Sequence, residues 1–237
     1  MVLTPEQQQN PLGPLVSRLE PAPHPARTAL AGRFVTLEPL DTTHADALFR
    51  VLGGQDRASL SDYMFHEPFL DLHKFHDHVA QNAASTDPVF FAICANRRDG
   101  MPLGWISYLR IEPKHLCLEI GHLLFSKELQ RTPESTEAVY LMLRHAFEDL
   151  SYRRVEWKLN NLNAPSHRAA LRYGFTLEGV FRKHLVVKGR SRDTAWYSIV
   201  DDEWPAAKTA FGGWLAEGNF DEHGMQKKKL QDFRRNE

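Results

Sequence analysis

One α/β (α+β) domain is the fold class this sequence predicts, with a mixed, mostly antiparallel sheet of six to seven strands and helices on both faces. Two observations predict it. Hydrophobic periods along the chain read β-α-α-β-β-β-α-β-α-β-β-α, a meander followed by a β-α-β-α-β run. The chain has 237 residues, 42% of them hydrophobic and 25% charged, enough for one well-buried domain with appendages. The domain is expected over residues 31–216, with an arm at 1–30 and a polar, basic tail at 217–237.

The arm holds three glutamines in a row and Pro5, Pro11, Pro14, Pro21 and Pro23. Such a segment buries too little surface to offset its ordering entropy. Leu12, Leu15 and Leu19 still offer apolar anchors. Arg33–Leu40 (RFVTLEPL) is the first strand. Thr42 or Thr43 can cap a helix through about Leu52, which Gly53-Gly54 stops. A loop at Ser61–Phe69 precedes a helix at Asp71–Ala84.

Three strands follow, at Val89–Ala95, Leu103–Glu112 and Leu116–Phe125, the first pair joined by a hairpin turn at Asn96–Gly100. Thr136–Leu150 is the clearest helix, because Val139, Met142, Leu143, Ala146, Phe147 and Leu150 share one face. Arg154–Leu159 is a strand, and Ala164–Tyr173 is a helix closed by Gly174. Phe175–Lys188 and Arg192–Val200 form a hairpin about Gly189, and Asp202–Leu215 is the last helix. The tail (QKKKLQDFRR) reads as disordered and solvated.

Composition excludes several functions. Net charge is −1, so no global field draws in nucleic acid or an anionic membrane. No apolar run approaches 18 residues. Residues 1–30 lack the charged and apolar regions of a signal peptide. Two cysteines, Cys94 and Cys117, in strand-like runs are no disulfide framework and read as structural. A cytoplasmic setting is expected. In the second helix only His73 and His76 share a face, and nothing is spaced to close a metal site with them.

Two junctions can carry chemistry. The strand holding Glu119 and Gly121 runs through a polar loop, 126–135, into the strong helix. A helix N-terminus presents unpaired N–H groups and a positive dipole end, which suits phosphate. Lys127 and Arg131 add charge there, and Ser135 and Thr136 add hydroxyls. The strand 154–159 runs into Asn160-Asn161-Leu162-Asn163-Ala164-Pro165-Ser166. Polar groups at a strand's C-terminal end lie where ligands enter open sheets, although Asn163 or Ser166 can equally be a plain helix cap.

Four segments together resemble the GNAT N-acetyltransferases, in particular the branch that acetylates ribosomal-protein N-termini. They are GRFVTLEPL at 32–40, LEIGHLLFSKELQRTPESTEAVYLML at 118–143, YRRVEWKLNNLNAPSHRAALRYGFTLEGVFR at 152–182 and KGRSRDTAWYSIVDDEW at 188–204. The resemblance implies a sheet splayed in the middle, with acetyl-coenzyme A as co-substrate and a primary amine as acceptor, either a small molecule or a protein N-terminus. It implies no metal, and a monomer or homodimer.

By the resemblance, the pantetheine arm lies between Leu123–Phe125 and Trp157–Asn160, with N–H groups near Leu123 and Leu124 toward the thioester oxygen. The pyrophosphate loop corresponds to Gln130, Arg131, Thr132, Pro133, Glu134 and Ser135, followed by Thr136. The family's two small residues are here Pro133 and Ser135, which costs one N–H donor and adds a Cβ. Arg168 and Arg172 are implied at the coenzyme's phosphates.

For the base, Glu119 comes first, because it sits in the strand beside the splay. His122 points to the opposite face in a regular strand and is the alternative, and a bulge would blur the distinction. A tyrosine common in the family corresponds to Ala170, so Ser166 or Asn163 is the donor to the leaving thiolate. The acceptor pocket is implied at Asp62, Tyr63, His66 and Glu67, acidic and aromatic groups that suit a cationic amine. A non-catalytic acyl-coenzyme-binding module of the same fold is the competing reading.

Overall fold

The computed structural model describes residues 15, 16, 18 and 20–234. Among them, eight strands form one sheet. They are β1 (Leu30–Ala31), β2 (Val35–Pro39), β3 (Val89–Ala95), β4 (Met101–Glu112), β5 (Cys117–Phe125), β6 (Arg154–Asn160), β7 (Thr176–Val187) and β8 (Arg190–Val200). Their order is β1-β2-β3-β4-β5-β6-β8-β7, antiparallel throughout except for β5 beside β6. The sheet is mixed and mostly antiparallel as expected, with one strand more. The extra one, β1, is two residues long and carries no period to read.

The α-helices are α1 (Ala45–Leu52), α2 (Leu72–Ala84), α3 (Pro133–Arg144), α4 (Ala164–Tyr173) and α5 (Trp204–Leu215). Every residue of β3 is buried, so both faces of the sheet are covered there. Capping explains the helix starts. Asp41, not Thr42 or Thr43, accepts Thr43 N–H and opens a 3-10 turn at Thr42–His44 that runs on into α1. Asp71 accepts Lys74 N–H at the start of α2. Thr132 accepts Ser135 N–H with Pro133 next, so α3 starts three residues earlier than its apolar face suggested. Gly174 closes α4 with φ +102°, a conformation that favours glycine.

Helix α3 is tied to the first strand by charge. Glu137, 5% exposed, accepts the N–H groups of Arg33, Phe34 and Val35. Gly32 makes room for this. A Cβ there would lie 2.5 Å from Glu137 Oε2.

The two ends of the chain differ from expectation. Leu15 is fully exposed, and Leu12 and Leu19 lie outside the described residues. The arm docks further on, where Ala22 is buried with its N–H on Pro113 O, and Tyr152 donates to Pro23 O. The described part of the tail is exposed over 221–229, but its end is seated on the domain. Leu230 is 1% exposed, Phe233 packs on the core, and Arg234 donates to the carbonyls of Leu171 and Arg172 at the end of α4. Two apolar residues among lysines and arginines suffice to seat it. None of the helices described is long and apolar enough to cross a membrane.

The sheet opens at one place. β5 and β6 pair only through Cys117↔Arg154, Leu118↔Val155 and Glu119↔Glu156. Beyond that, β6 stays with β8 as far as Asn160↔Thr194, and β5 stays with β4. Along β5, Gly121 to Leu124 spans the same partners as Ser107 to Trp105, one residue too many, and His122 takes up the excess at φ +48°. A bulge of this kind bends its strand.

Candidate functional site

A cavity of about 130 Å³ lies in the opening between β5 and β6. Its walls come from both strands, from Leu109 and Arg110 of β4, from Asn163 and Ser166 at the start of α4, from Tyr63, Met64 and Phe65 of the loop after α1, and from His184, Leu185, Arg192 and Thr194 of β7 and β8. Glu119 and His122 both line it. The bulge removes the exclusion that a regular strand would impose on them.

Glu119 is 3% exposed. Arg110 Nη1 donates to its Oε2 at 2.6 Å, and Lys158 Nζ lies 3.1 Å from the same oxygen. Both cations therefore use one oxygen. Oε1 has no protein donor among the described residues, and it lies beside Gly121, where a Cβ would come within 3.1 Å of it. Lys158 also reaches Glu156 Oε2 at 2.6 Å and lies 3.9 Å from the centre of the Trp196 ring. This cation separates Glu119 from Glu156, two like charges directly opposite across the strand pair.

His122 packs its ring near Phe65 and Phe90. Burial, then the nearby Arg110, pulls its pKa down to about 4, so the imidazole is neutral at neutral pH. His78, under Phe69 and Trp105, is pulled down to about 4 by burial as well.

The strand edges sort the backbone donors. Ser126 N–H goes to Leu103 O of β4. Alternation then turns Leu124 toward β4 as well, and turns the N–H groups of Leu123 and Phe125 into the opening. The backbone donors that face the opening are therefore those of Leu123 and Phe125, and not that of Leu124 as expected. Gln130 reaches this edge too, donating from its side chain to Phe125 O at 3.0 Å.

Asn163 caps α4 by accepting Ser166 N–H at 3.2 Å. Ser166 Oγ accepts the indole N–H of Trp157 at 3.0 Å, which leaves the serine O–H proton free to be donated into the cavity. Capping and site placement, read as alternatives from sequence, coincide. Ala170 is fully buried, and Tyr173 packs between Trp157 and Phe211, its hydroxyl pushed up in pKa by burial.

At the start of α3, Arg131 is exposed with φ +64°, Thr132 is the cap and Pro133 fills the first helical position, where a missing N–H matters least. The hydroxyls of Ser135 and Thr136 both turn back to Thr132 O. Arg168 is exposed. Arg172 is drawn inward, donating to Thr136 Oγ1 at 3.0 Å and lying 4.7 Å from the Trp214 ring.

Of the four residues expected around the acceptor, only Tyr63 lines the cavity, and it donates to Leu162 O at 3.1 Å. Asp62 and Glu67 are exposed outside it, and His66 stacks on Phe69. The lining is cationic instead: Arg110, Lys158 and Arg192 stand against Glu119. Sequence reading missed these three together with Phe65, His184 and Thr194. One signal was present, since Arg154, Glu156, Lys158 and Asn160 put every charge of β6 on one face, opposite Val155, Trp157 and Leu159.

Glu38, His44 and Cys94 also bring possible metal ligands together. Asp41 N–H donates to His44 Nδ1, so Nε2 carries the proton and points it at Glu38. The Cys94 thiol is pushed up to about 12 by burial. Neither group offers the free lone pair or thiolate that a metal needs.

A family model described as Acetyltransferase (GNAT) domain matches residues 35–176. The crystal structure of a GCN5-related N-acetyltransferase from Brucella melitensis matches with a TM-score of 0.90 at 42% identity, over 92% of this chain and 99% of that one. A probable GNAT-family acetyltransferase from Chromobacterium violaceum matches with a TM-score of 0.75 at 39% identity, over 81% of this chain and 96% of that one. The putative ribosomal N-acetyltransferase YdaF of Bacillus subtilis is 32% identical over 110 residues, 46% of this chain. The match spans 60% of that relative's length.

Proposed function

The chain belongs to the GNAT acetyltransferase family, and from that premise we propose that it moves an acetyl group from acetyl-coenzyme A to a primary amine, by direct attack in a ternary complex. The observation that carries this is the parting of β5 from β6 beyond Glu119↔Glu156, with unpaired backbone on one side and Ser166 on the other. An extended pantetheine arm adds to such an edge as a strand does. The N–H groups of Leu123 and Phe125 meet the thioester oxygen, which gains negative charge during attack.

An alkyl amine is mostly protonated at neutral pH and must lose a proton first. Glu119 Oε1 receives it, directly or through water. The nitrogen lone pair then attacks the carbonyl carbon, the N–C bond forms and the C–S bond breaks. The second amine proton leaves as the amide forms. The departing thiolate is met by the Ser166 hydroxyl and takes up one proton, so the products are the amide and the free thiol. His122 lies in the same cavity, but a pKa of about 4 makes it a weaker proton acceptor than an ordinary histidine, which favours Glu119 as the base.

The phosphates are assigned to Gln130, Arg131 and Thr132 and to the first turn of α3, with Pro133, Ser135, Thr136 and Arg172 shaping that turn from behind and Arg168 flanking it. Asn163 holds Ser166 in place. Tyr63 is the part of the acceptor loop that meets substrate. The name of the relative YdaF, a putative ribosomal N-acetyltransferase, supports a protein N-terminus as one acceptor class. The test is free thiol released from acetyl-coenzyme A with a panel of small amines and N-terminal peptides, alongside calorimetry of coenzyme binding. Turnover with an acceptor is the expected result. Tight coenzyme binding with no turnover on any amine would leave only a binding module.

A further inference from the structure

One cation of the cavity has no ion-pair partner of its own among the described residues. Arg110 and Lys158 are both paired with Glu119. Arg192 lines the same cavity, is 7% exposed, and has no carboxylate within ion-pair distance among the described residues. Its Nε makes a long 3.4 Å contact to Thr194 Oγ1, and its guanidinium carbon lies 5.0 Å from the Phe65 ring centre. Thr194 is itself engaged by His184 Nδ1 at 3.0 Å.

Burying an arginine without an anion is costly, and the group stays charged whatever its surroundings. Burial lowers its pKa, the charge of Glu119 offsets part of that from beyond ion-pair distance, and the nearby Arg110 lowers it further. The guanidinium fork has five donors. Nε is spent on Thr194, and the remaining N–H groups have no protein acceptor among the described residues. Such a planar fork matches a carboxylate in bidentate fashion. Phe65 covers one side of it, and the loop carrying Phe65 is pinned by Lys188 Nζ on Ser61 O and His66 O and by Tyr63 on Leu162 O.

We propose that the acceptor amine carries a carboxylate, which Arg192 binds in this cavity while the amine faces Glu119. This rests on the acetyl-transfer reading for the amine and on the cavity alone for the carboxylate. The volume of about 130 Å³ admits a short amino acid or the first residues of a peptide, well below the size of drug-binding pockets. Free amino acids and peptide N-termini with an acidic side chain offer the same two groups. It also corrects the expectation of an acidic pocket, since Asp62 and Glu67 lie outside the cavity.

The experiment compares matched probes. One arm sets β-alanine and glycine against their amides. The other sets N-terminal peptides with aspartate at the second position against the same peptides with asparagine. In the wild type, kcat/KM is expected to favour the carboxylate by about tenfold in one arm, chiefly through KM, the size of one charge-assisted hydrogen bond. The arm that responds names the source. Arg192→Gln is expected to bring the ratio to about one, and Arg192→Lys to restore part of it. A wild-type ratio near one in both arms overturns the proposal without any variant, as does a ratio unchanged in Arg192→Gln. If no amine turns over, calorimetry of β-alanine and propionate with the coenzyme-loaded protein decides separately. Binding lost in Arg192→Gln keeps the carboxylate site and discards acetyl transfer, and no binding to the wild type discards the site.

Discussion

Glu137 and Glu119 are carboxylates buried to nearly the same depth, at 5% and 3% exposure, in two regions that use charge in opposite ways. At the junction of α3 with β2, Glu137 spreads its two oxygens over three backbone N–H groups and has nothing left to offer. At the parting of β5 and β6, Glu119 gathers two cations on Oε2 and keeps Oε1 open beside a glycine. Burial alone therefore does not separate the two. What separates them is the oxygen that the fold has left unpaired in Glu119, facing a cavity, and on this the proposal of Glu119 as base rests.

The sharpest way to break this comparison is to neutralise both. Glu119→Gln is expected to lower kcat by about 10³-fold, within the span of general-base catalysis. A drop of less than tenfold, measured by thiol release, would make Glu119 a structural anchor like Glu137. Glu137→Gln is expected to cost about 2–3 kcal/mol of stability in urea unfolding, because three backbone donors lose a charged acceptor. Its kcat should change far less than that of Glu119→Gln. Unchanged unfolding would show that the junction does not depend on that charge.

A subtler probe touches neither carboxylate. Gly121→Ala places a methyl 3.1 Å from Glu119 Oε1 and 2.8 Å from Leu109 Cδ2. Contacts that short force a shift, and a base displaced by a fraction of an ångström is expected to lose about tenfold in kcat. Full activity in this variant would mean that Oε1 is not the atom that takes the proton.

These two regions also show what a sequence can disclose. Around Glu137 the α3 stripe follows from period, but the bonds of Glu137 itself reach Arg33, Phe34 and Val35 more than a hundred residues away, and no local rule announced them. Capping rules exposed Asn163, Ser166 and Gly174. The Glu119 region rests on register. Which of Glu119 and His122 faces the opening depends on one bulged residue, and His122 carries no glycine to announce its positive φ. Lys158 meets Glu119 where Glu119 lies opposite Glu156, and Arg192 lies where β7 slips two residues against β8 between Phe181 and Leu185. No spacing along the chain encodes such long-range pairings. The acidic loop at 62–67 misled for the same reason, since its charges turn to solvent while Phe65 turns in.

The smallest effect expected is a pH dependence of stability that belongs to the Glu119 region. His122 falls to a pKa of about 4 by burial and by Arg110, His66 and Arg192 around it, against an ordinary 6.5. A histidine with a depressed native pKa takes up its proton more readily when unfolded. Stability is then complete above about pH 6.5 and declines as pH falls toward 4. By pH 5 the loss from this one group, discounted for its partial exposure, is roughly 1 kcal/mol. His78 adds to it in the same window. Urea midpoints between pH 7.5 and 4.5 should shift less in His122→Asn than in the wild type. Equal shifts would mean that His122 is solvated in the native state, and that the wall between Phe65 and Phe90 is more open than the packing of their rings implies.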